Sequence, residues 1–222
     1  GGLFHYQLTD DPENLCSNFP NVVHYLKHFW LLLPDSIQDQ QLFWSQFYSL
    51  YSPTYLDLID STHNLACMYY FKTLLEKNVG PFSPEFKLLD YGCGPGLSAQ
   101  IFGVKHLIGY DNNSVMLKKA TEQGLQIVDR QGFNNIQPCF FDAAFACYVF
   151  HMAIPESDIM NIVRVLKPDG VFIANYYKNF EIERVTSLFQ KFGAEGEKVN
   201  DSERRFGSVY IYRKRFLFSS FK

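Results

Sequence analysis

The sequence predicts an α/β fold: a doubly wound, mostly parallel sheet preceded by a helical arm. Three observations carry that reading. From Lys87 onward, short apolar runs alternate with helix-patterned stretches, the order that produces a parallel sheet. A glycine-rich turn directly follows the first of those runs. Before the breaker Pro81-Phe-Ser-Pro84 there is no alternating run, and residues 1–85 carry nine acidic and three basic residues, against fourteen and seventeen in the remainder. A chain of 222 residues has the length of one large domain, or of one domain with an added arm. The expected division is a helical arm over 1–85 and a sheet domain over 86–222.

In the arm, Asn21–Leu33 reads as a helix stopped by Pro34, and Asp35–Tyr51 as a second ending near Pro53. Tyr55–Asn78 reads as one long helix or two. An arm this small and aromatic is expected to pack onto the sheet domain. In that domain Lys87–Tyr91 is the first strand, Gly92–Gly96 a tight turn into a short helix ending at Gly103, and His106–Tyr110 the second strand. A helix over Ser114–Gln123 leads to a third strand, Gln126–Val128. Ala143–Phe150 is the fourth strand, Ser157–Leu166 a helix, Val171–Tyr176 the fifth strand and Phe180–Phe192 a helix. Two closing strands follow, the last near Ser208–Arg213. Ligands on such sheets bind beyond the carboxyl ends of the strands, where the strand order reverses.

Hydrophobic residues at 47% and charged residues at 19% exclude a disordered chain. A net charge of −3 is too near neutral for non-specific nucleic-acid binding. No apolar run, Phe29–Leu33 included, approaches the length of a membrane span. Five cysteines (Cys16, Cys67, Cys93, Cys139 and Cys147) are odd in number and form no CxxC pair. That argues against a disulfide framework or structural zinc and for a reduced, cytoplasmic protein. Gly1-Gly2 reads as a cloning remnant, and no secretory leader pattern follows it.

The chemistry-bearing signal is Asp90-Tyr-Gly-Cys-Gly-Pro-Gly96 at the end of the first strand. Glycines there permit positive φ and close approach of a ligand to the backbone, while amides of the turn can meet polar ligand atoms. An ordinary strand-to-helix turn has the same look, so the acids at the next strand ends decide the matter. Asp111 ends the second strand, where a carboxylate accepts hydrogen bonds from both hydroxyls of a ribose. Asp129 ends the third, within reach of an exocyclic amine. Three acids at three adjacent strand ends suit a ligand with a ribose, an amine and a positive charge.

Leu88-Leu-Asp-Tyr-Gly-Cys-Gly-Pro-Gly96, Ile108-Gly-Tyr-Asp-Asn112, Phe141-Asp142, Phe150-His151 and Arg164-Val-Leu-Lys-Pro-Asp-Gly-Val171 resemble, in order, the motifs of class I S-adenosylmethionine-dependent methyltransferases of small-molecule type. The resemblance covers about residues 85–215. It implies a Rossmann-like seven-stranded sheet of order 3-2-1-4-5-7-6 with an antiparallel seventh strand, and S-adenosylmethionine as cofactor with S-adenosylhomocysteine as product. It also implies that Asp90, Gly92, Cys93, Gly94 and Gly96 surround the methionine part and that Asp111 holds the ribose beside Asn112. Asp129 and Arg130 would approach the adenine, and Cys147 and Tyr148 the sulfonium and its methyl. The Lys-Pro-Asp-Gly turn resembles the family's Lys-Pro-Gly-Gly turn, with Asp169 where Gly is usual. Only about a dozen residues separate Asp129 from Asp142, so the helix usual there is expected to be reduced to a loop.

A nicotinamide dehydrogenase is the other reading of the turn. Its fingerprint G-x-G-x-x-G/A, started at Gly92, would put Leu97 at the last position, which disfavours it. Methyl transfer needs a nucleophile held in line and water excluded. His151, just after the fourth strand, is the candidate base, or else a residue that only packs or orients the site. Tyr48, Tyr51 and Tyr55 on the arm, with Tyr176 and Tyr177 after the fifth strand, are the predicted acceptor contacts, the arm closing the site as a helical lid. The same rings could instead pack the arm on the sheet.

Pro138-Cys139 lies before the fourth strand and does not match the Pro-Cys nucleophile of cytosine methyltransferases, and there is no Asp-Pro-Pro-Tyr-like motif. Arg204-Arg205 and Arg213-Lys-Arg215 read as a solvated sheet edge. The expected acceptor is a small molecule methylated at oxygen or nitrogen, with no nucleic acid and no membrane as partner. A protein or peptide acceptor, and a non-catalytic cofactor-binding module serving a partner protein, are the alternatives. The sequence does not set the oligomeric state.

Overall fold

The computed structural model describes residues 21–26, 29–176, 181–200 and 204–215, and the chain divides into two compact units, residues 1–60 and 61–222. Tyr177 and Phe180 lie outside the described residues.

The first unit opens with a hairpin where a helix was predicted. Val22–Tyr25 (β1) and Phe29–Leu32 (β2) pair antiparallel, with Val22 opposite Leu32 and Tyr25 opposite Phe29. β-branched and aromatic residues suit a half-buried pleated surface, and Val23, Tyr25 and Leu31 are buried. Asn21 closes the open end: its carbonyl accepts from the Leu33 N–H (2.9 Å), and its side-chain amide donates to the Leu33 carbonyl (3.0 Å). Ile37–Tyr51 (α1) follows, with the Ser36 hydroxyl accepting from the Asp39 N–H as its cap. It buries Phe43, Trp44 and Phe47. Tyr55–Leu58 (α2) is a single turn that ends where Ile59 becomes extended. The stretch from Tyr55 to Asn78 is therefore two helices. The second, Ser61–Val79 (α3), clusters with the sheet unit and not with residues 1–60.

The second unit is the seven-stranded sheet. Its strands are Leu88–Tyr91 (β3), Leu107–Tyr110 (β4), Gln126–Val128 (β5), Phe141–Ala146 (β6), Leu166–Tyr176 (β7), Ala194–Lys198 (β8) and Ser208–Lys214 (β9). The order across the sheet is β5-β4-β3-β6-β7-β9-β8, with β9 antiparallel to both neighbours and the first five strands parallel. Counted along this sheet, that is the predicted 3-2-1-4-5-7-6. The connecting helices are Ala99–Phe102 (α4), Ser114–Glu122 (α5), Arg130–Asn135 (α6), Glu156–Val165 (α7) and Ile182–Lys191 (α8). Phe150, Phe172, Phe189 and Tyr212 are fully buried on one face, with the Phe189 and Tyr212 rings stacked 4.0 Å apart.

Two further corrections sit next to the functional edge. The connection after β5 holds the helix α6, because Asp129 caps it by accepting from the Gly132 N–H (2.7 Å) and Phe133 anchors it in the core. β6 stops at Ala146, four residues short of the prediction, because Tyr148 turns to φ +57° and its N–H goes to the Asn175 side chain. At the turn inside β7, Asp169 stands at φ +60°, a left-handed conformation that glycine adopts with less strain.

Candidate active site

The donor side lies at the carboxyl ends of β3, β4 and β5. Asp90 is buried at 1% exposure, and Ser98 donates its hydroxyl proton to the carboxylate. Burial pushes its pKa up to about 7, with the Ser98 hydrogen bond opposing and the nearby Asp111 adding to the rise. Gly92 at φ +76° lies so close to Val149 that a Cβ would come 2.5 Å from its Cγ2. Gly94 at φ +52° differs: nothing lies within 4 Å of where its Cβ would stand, so the turn presents bare backbone there. Gly96 backs onto Ala120 of α5. Cys93 packs its side chain on Gly109 of β4, and burial pushes its thiol pKa up, so its contribution is backbone position.

The amides of the turn are mostly spent within the protein. The Gly92 and Cys93 N–H groups both donate to the Tyr110 carbonyl, Gly96 donates to Cys93, and Gly94 donates to Asp111 Oδ2 (2.9 Å). The acids, more than the amides, are therefore the polar groups left for a ligand. Asp111 also accepts from the Asn113 N–H (2.8 Å) and from the Asn112 backbone, which leaves part of its acceptor capacity for a hydroxyl. Burial raises its pKa while these backbone hydrogen bonds work against the rise. A cavity of about 570 Å³ lies beyond these strands, lined in part by Asp111, Asn112, Leu117, Asp129 and Arg130. Arg130 is held from below. Its guanidinium pairs with the buried Asp158 and lies 5.2 Å from the centre of the Tyr110 ring, and Tyr91 donates to the same Asp158.

The other side lies at the carboxyl ends of β6 and β7 and the start of β9. The Tyr148 hydroxyl is 2.8 Å from His63 Nε2, and the Tyr148 N–H donates to Asn175 Oδ1 (2.7 Å). Asn175 is fully buried and donates to the Phe206 carbonyl (2.9 Å). The Phe206 ring lies 5.4 Å from that of His63 and 5.7 Å from that of Tyr70. Cys147 lies beside Cys67 of α3, and burial with that neighbour pushes the Cys147 thiol pKa up. His63, Asn175 and Phe206 were not found from sequence: they belong to three distant segments and form no motif.

Several predicted residues are placed elsewhere. His151 is 3% exposed with both ring nitrogens enclosed. Tyr176 is fully buried, its hydroxyl hydrogen-bonded to that of Tyr212 (2.6 Å); it is core rather than acceptor surface. Within the first unit, Tyr48 shares a hydrogen bond with Tyr25 and lies 5.8 Å from Tyr55, while Tyr51 packs on Phe29 and Phe47, each 4.7 Å away.

Residues 89–174 match the protein family described as a methyltransferase domain. A comparison by sequence with characterised proteins gives no match. Among solved structures, Streptomyces venezuelae DesVI is 12% identical, with 77% of this chain and 98% of that one covered at a TM-score of 0.57. A SAM-dependent methyltransferase of Thermotoga maritima is 16% identical, with 76% and 99% covered at 0.50. At such identities the likeness is one of fold. The donor set fits the cofactor this family uses: an acid with acceptor capacity left for a ribose hydroxyl, a second cavity acid beside Arg130, and bare backbone at Gly94. Residues 89–174 are a methyltransferase domain on a class I, Rossmann-like sheet, with S-adenosylmethionine as methyl donor and S-adenosylhomocysteine as product.

Proposed function

We propose that the enzyme methylates an oxygen or nitrogen of a small-molecule acceptor at the carboxyl ends of β6 and β7. The observation that carries this reading is the ring-rich edge there, where His63, Tyr148, Phe206 and Tyr70 lie together. Such rings favour a compact, partly apolar acceptor over a polyanion. The basic residues near the carboxyl end are engaged locally, which also disfavours a nucleic-acid acceptor. Lys214 donates to the Leu166 carbonyl (2.6 Å), Arg213 to the Asp169 carbonyl and Asn78, and Arg215 pairs with Glu195. Among the described residues no helix is long and apolar enough to cross a membrane. Cys67, Cys93, Cys139 and Cys147 are all free thiols, which suits a cytoplasmic location.

When bound, S-adenosylmethionine supplies a methyl carbon on a sulfonium, whose carbon–sulfur electron pair leaves with sulfur. On this reading Asp111 and Asn112 hold the ribose, and Asp129 and Arg130 flank the adenine. Asp90 and the turn from Gly92 to Gly96 hold the methionine end, with Cys147 and Tyr148 at the transferred methyl.

Thermal unfolding with S-adenosylmethionine, S-adenosylhomocysteine and NAD(H), each added alone, tests the cofactor. A ligand at 100 times its Kd stabilises the fold by about 2.7 kcal/mol. The two sulfur nucleotides are expected to raise Tm, and a rise with NAD(H) alone overturns the assignment. A panel of phenols, small amines and short peptides, read by release of S-adenosylhomocysteine, tests the acceptor class. Turnover confined to peptides replaces the small-molecule reading.

A further inference from the structure

We propose that Tyr148 and His63 form the pair that takes the proton from the acceptor; the assignment rests on the methyl-transfer reading above. Three observations meet at this pair. The first is the hydrogen bond itself, 2.8 Å between the Tyr148 hydroxyl and His63 Nε2, joining the end of β6 to α3. The second is how firmly Tyr148 is held. It stands at φ +57°, outside the range a tyrosine prefers, and its N–H is fixed by the buried Asn175, which is itself fixed to the Phe206 backbone. Strained backbone of this kind persists only where the surroundings over-determine it, and it clusters at working sites. The third is location: the next residue, Val149, packs against Gly92, which sets the Tyr148 segment beside the glycine turn that holds the donor.

The chemistry is that of a two-step proton relay. The acceptor's O–H or N–H proton passes to Tyr148 Oη as the tyrosine's own proton passes to His63 Nε2. Tyr148 ends neutral, and the imidazolium on His63 then releases its proton to solvent. An imidazole suits this task because it changes charge near neutral pH. The groups around it are Tyr148 itself, the Phe206 ring, Tyr70 and Cys67 further along α3, and Cys147 beside Cys67. The Arg205 guanidinium lies 4.5 Å from the centre of the Phe206 ring. His151 cannot serve in the same way while its nitrogens are enclosed.

The test uses the full chain labelled with ¹⁵N-histidine, with His63→Gln to assign the resonance. The His63 titration is followed with saturating S-adenosylmethionine and, separately, with S-adenosylhomocysteine. These differ by one methyl and one positive charge at sulfur. A sulfonium next to the pair disfavours the imidazolium, so the His63 midpoint is expected to be lower with S-adenosylmethionine, by on the order of half a pH unit. Tyr148→Phe is expected to remove the hydrogen-bonded signature at Nε2, and Asn175→Ala, a second variant, should weaken the same signature. Identical His63 curves with the two ligands, both bound, overturn the proposal. Failure of both ligands to bind overturns the cofactor reading instead. With any acceptor that turns over in the panel, the acidic limb of kcat/KM should disappear in His63→Gln, with kcat reduced about 100-fold and KM little changed. An acidic limb retained in that variant also overturns the pair.

Discussion

On the β4–β5 side of the sheet edge, acids stand at strand ends and are tied to backbone N–H groups of the same or the next loop: Asp111 to Gly94 and Asn113, Asp129 to Gly132. On the β6–β7–β9 side, side chain meets side chain across long distances in sequence: His63 with Tyr148, and Asn175 with the Tyr148 and Phe206 backbones. The first half is a local construction and the second a tertiary one. A ligand shared by many enzymes is met by the half that short motifs can specify. On the proposed reading, the acceptor, which differs from enzyme to enzyme, is met by the half that depends on how distant segments pack.

The sharpest way to break this contrast is through Asp90. Its pKa is pushed up to about 7 from an ordinary 3.8, so between pH 4 and 7 the native state binds more protons than the unfolded chain. Stability is therefore expected to fall as pH rises through that window, by on the order of 4 kcal/mol in total, and to level off above it. Urea unfolding at pH 4.5, 6 and 8 should show this slope, and Asp90→Asn should flatten it. The same variant should weaken S-adenosylhomocysteine binding, so that one carboxylate costs stability and supports function.

Asp111→Ala comes next. It removes the acceptor of the Gly94 N–H together with the proposed ribose contacts, and calorimetry should find S-adenosylhomocysteine affinity reduced about 100-fold or more. Gly92→Ala should cost about 2 kcal/mol, since the new methyl meets Val149 and φ stays positive. Adding Val149→Ala should recover the clash but not the backbone strain, and urea midpoints of the single and double variants separate the two. Asp129→Ala is the smallest effect. Loss of the α6 cap is expected to cost about 1 kcal/mol, with a few-fold loss of affinity if the same carboxylate also meets the adenine.

The strand order, the glycine turn and Asp111 were legible because each is a contiguous pattern read by local rules: a short apolar run, then small residues, then an acid. The hairpin at 21–33 was not, because its thirteen residues hold apolar groups at spacings that serve either a helix or two short strands, and the Asn21–Leu33 closure decides between them. The end of β6 was misjudged for a related reason. Cys147–Phe150 is as apolar as the strand before it, and only the amide of Asn175, twenty-seven residues on from Tyr148, turns the chain aside. His151 attracted notice by residue type and position along the chain. Burial, which a single sequence does not display, encloses its ring nitrogens, and His63 is the histidine proposed for proton transfer.

The antiparallel return of β9 brings Phe206 to the edge that Asn175 and Tyr148 occupy. During synthesis, the residues proposed to hold the donor's ribose and adenine have all left the ribosome once Asp129 and Arg130 emerge. The acceptor edge lacks Phe206 until some seventy-six residues later. Contacts of such long sequence separation form late in folding. On the proposed assignment, the ribose and adenine half of the site is therefore synthesised well before the acceptor edge can close.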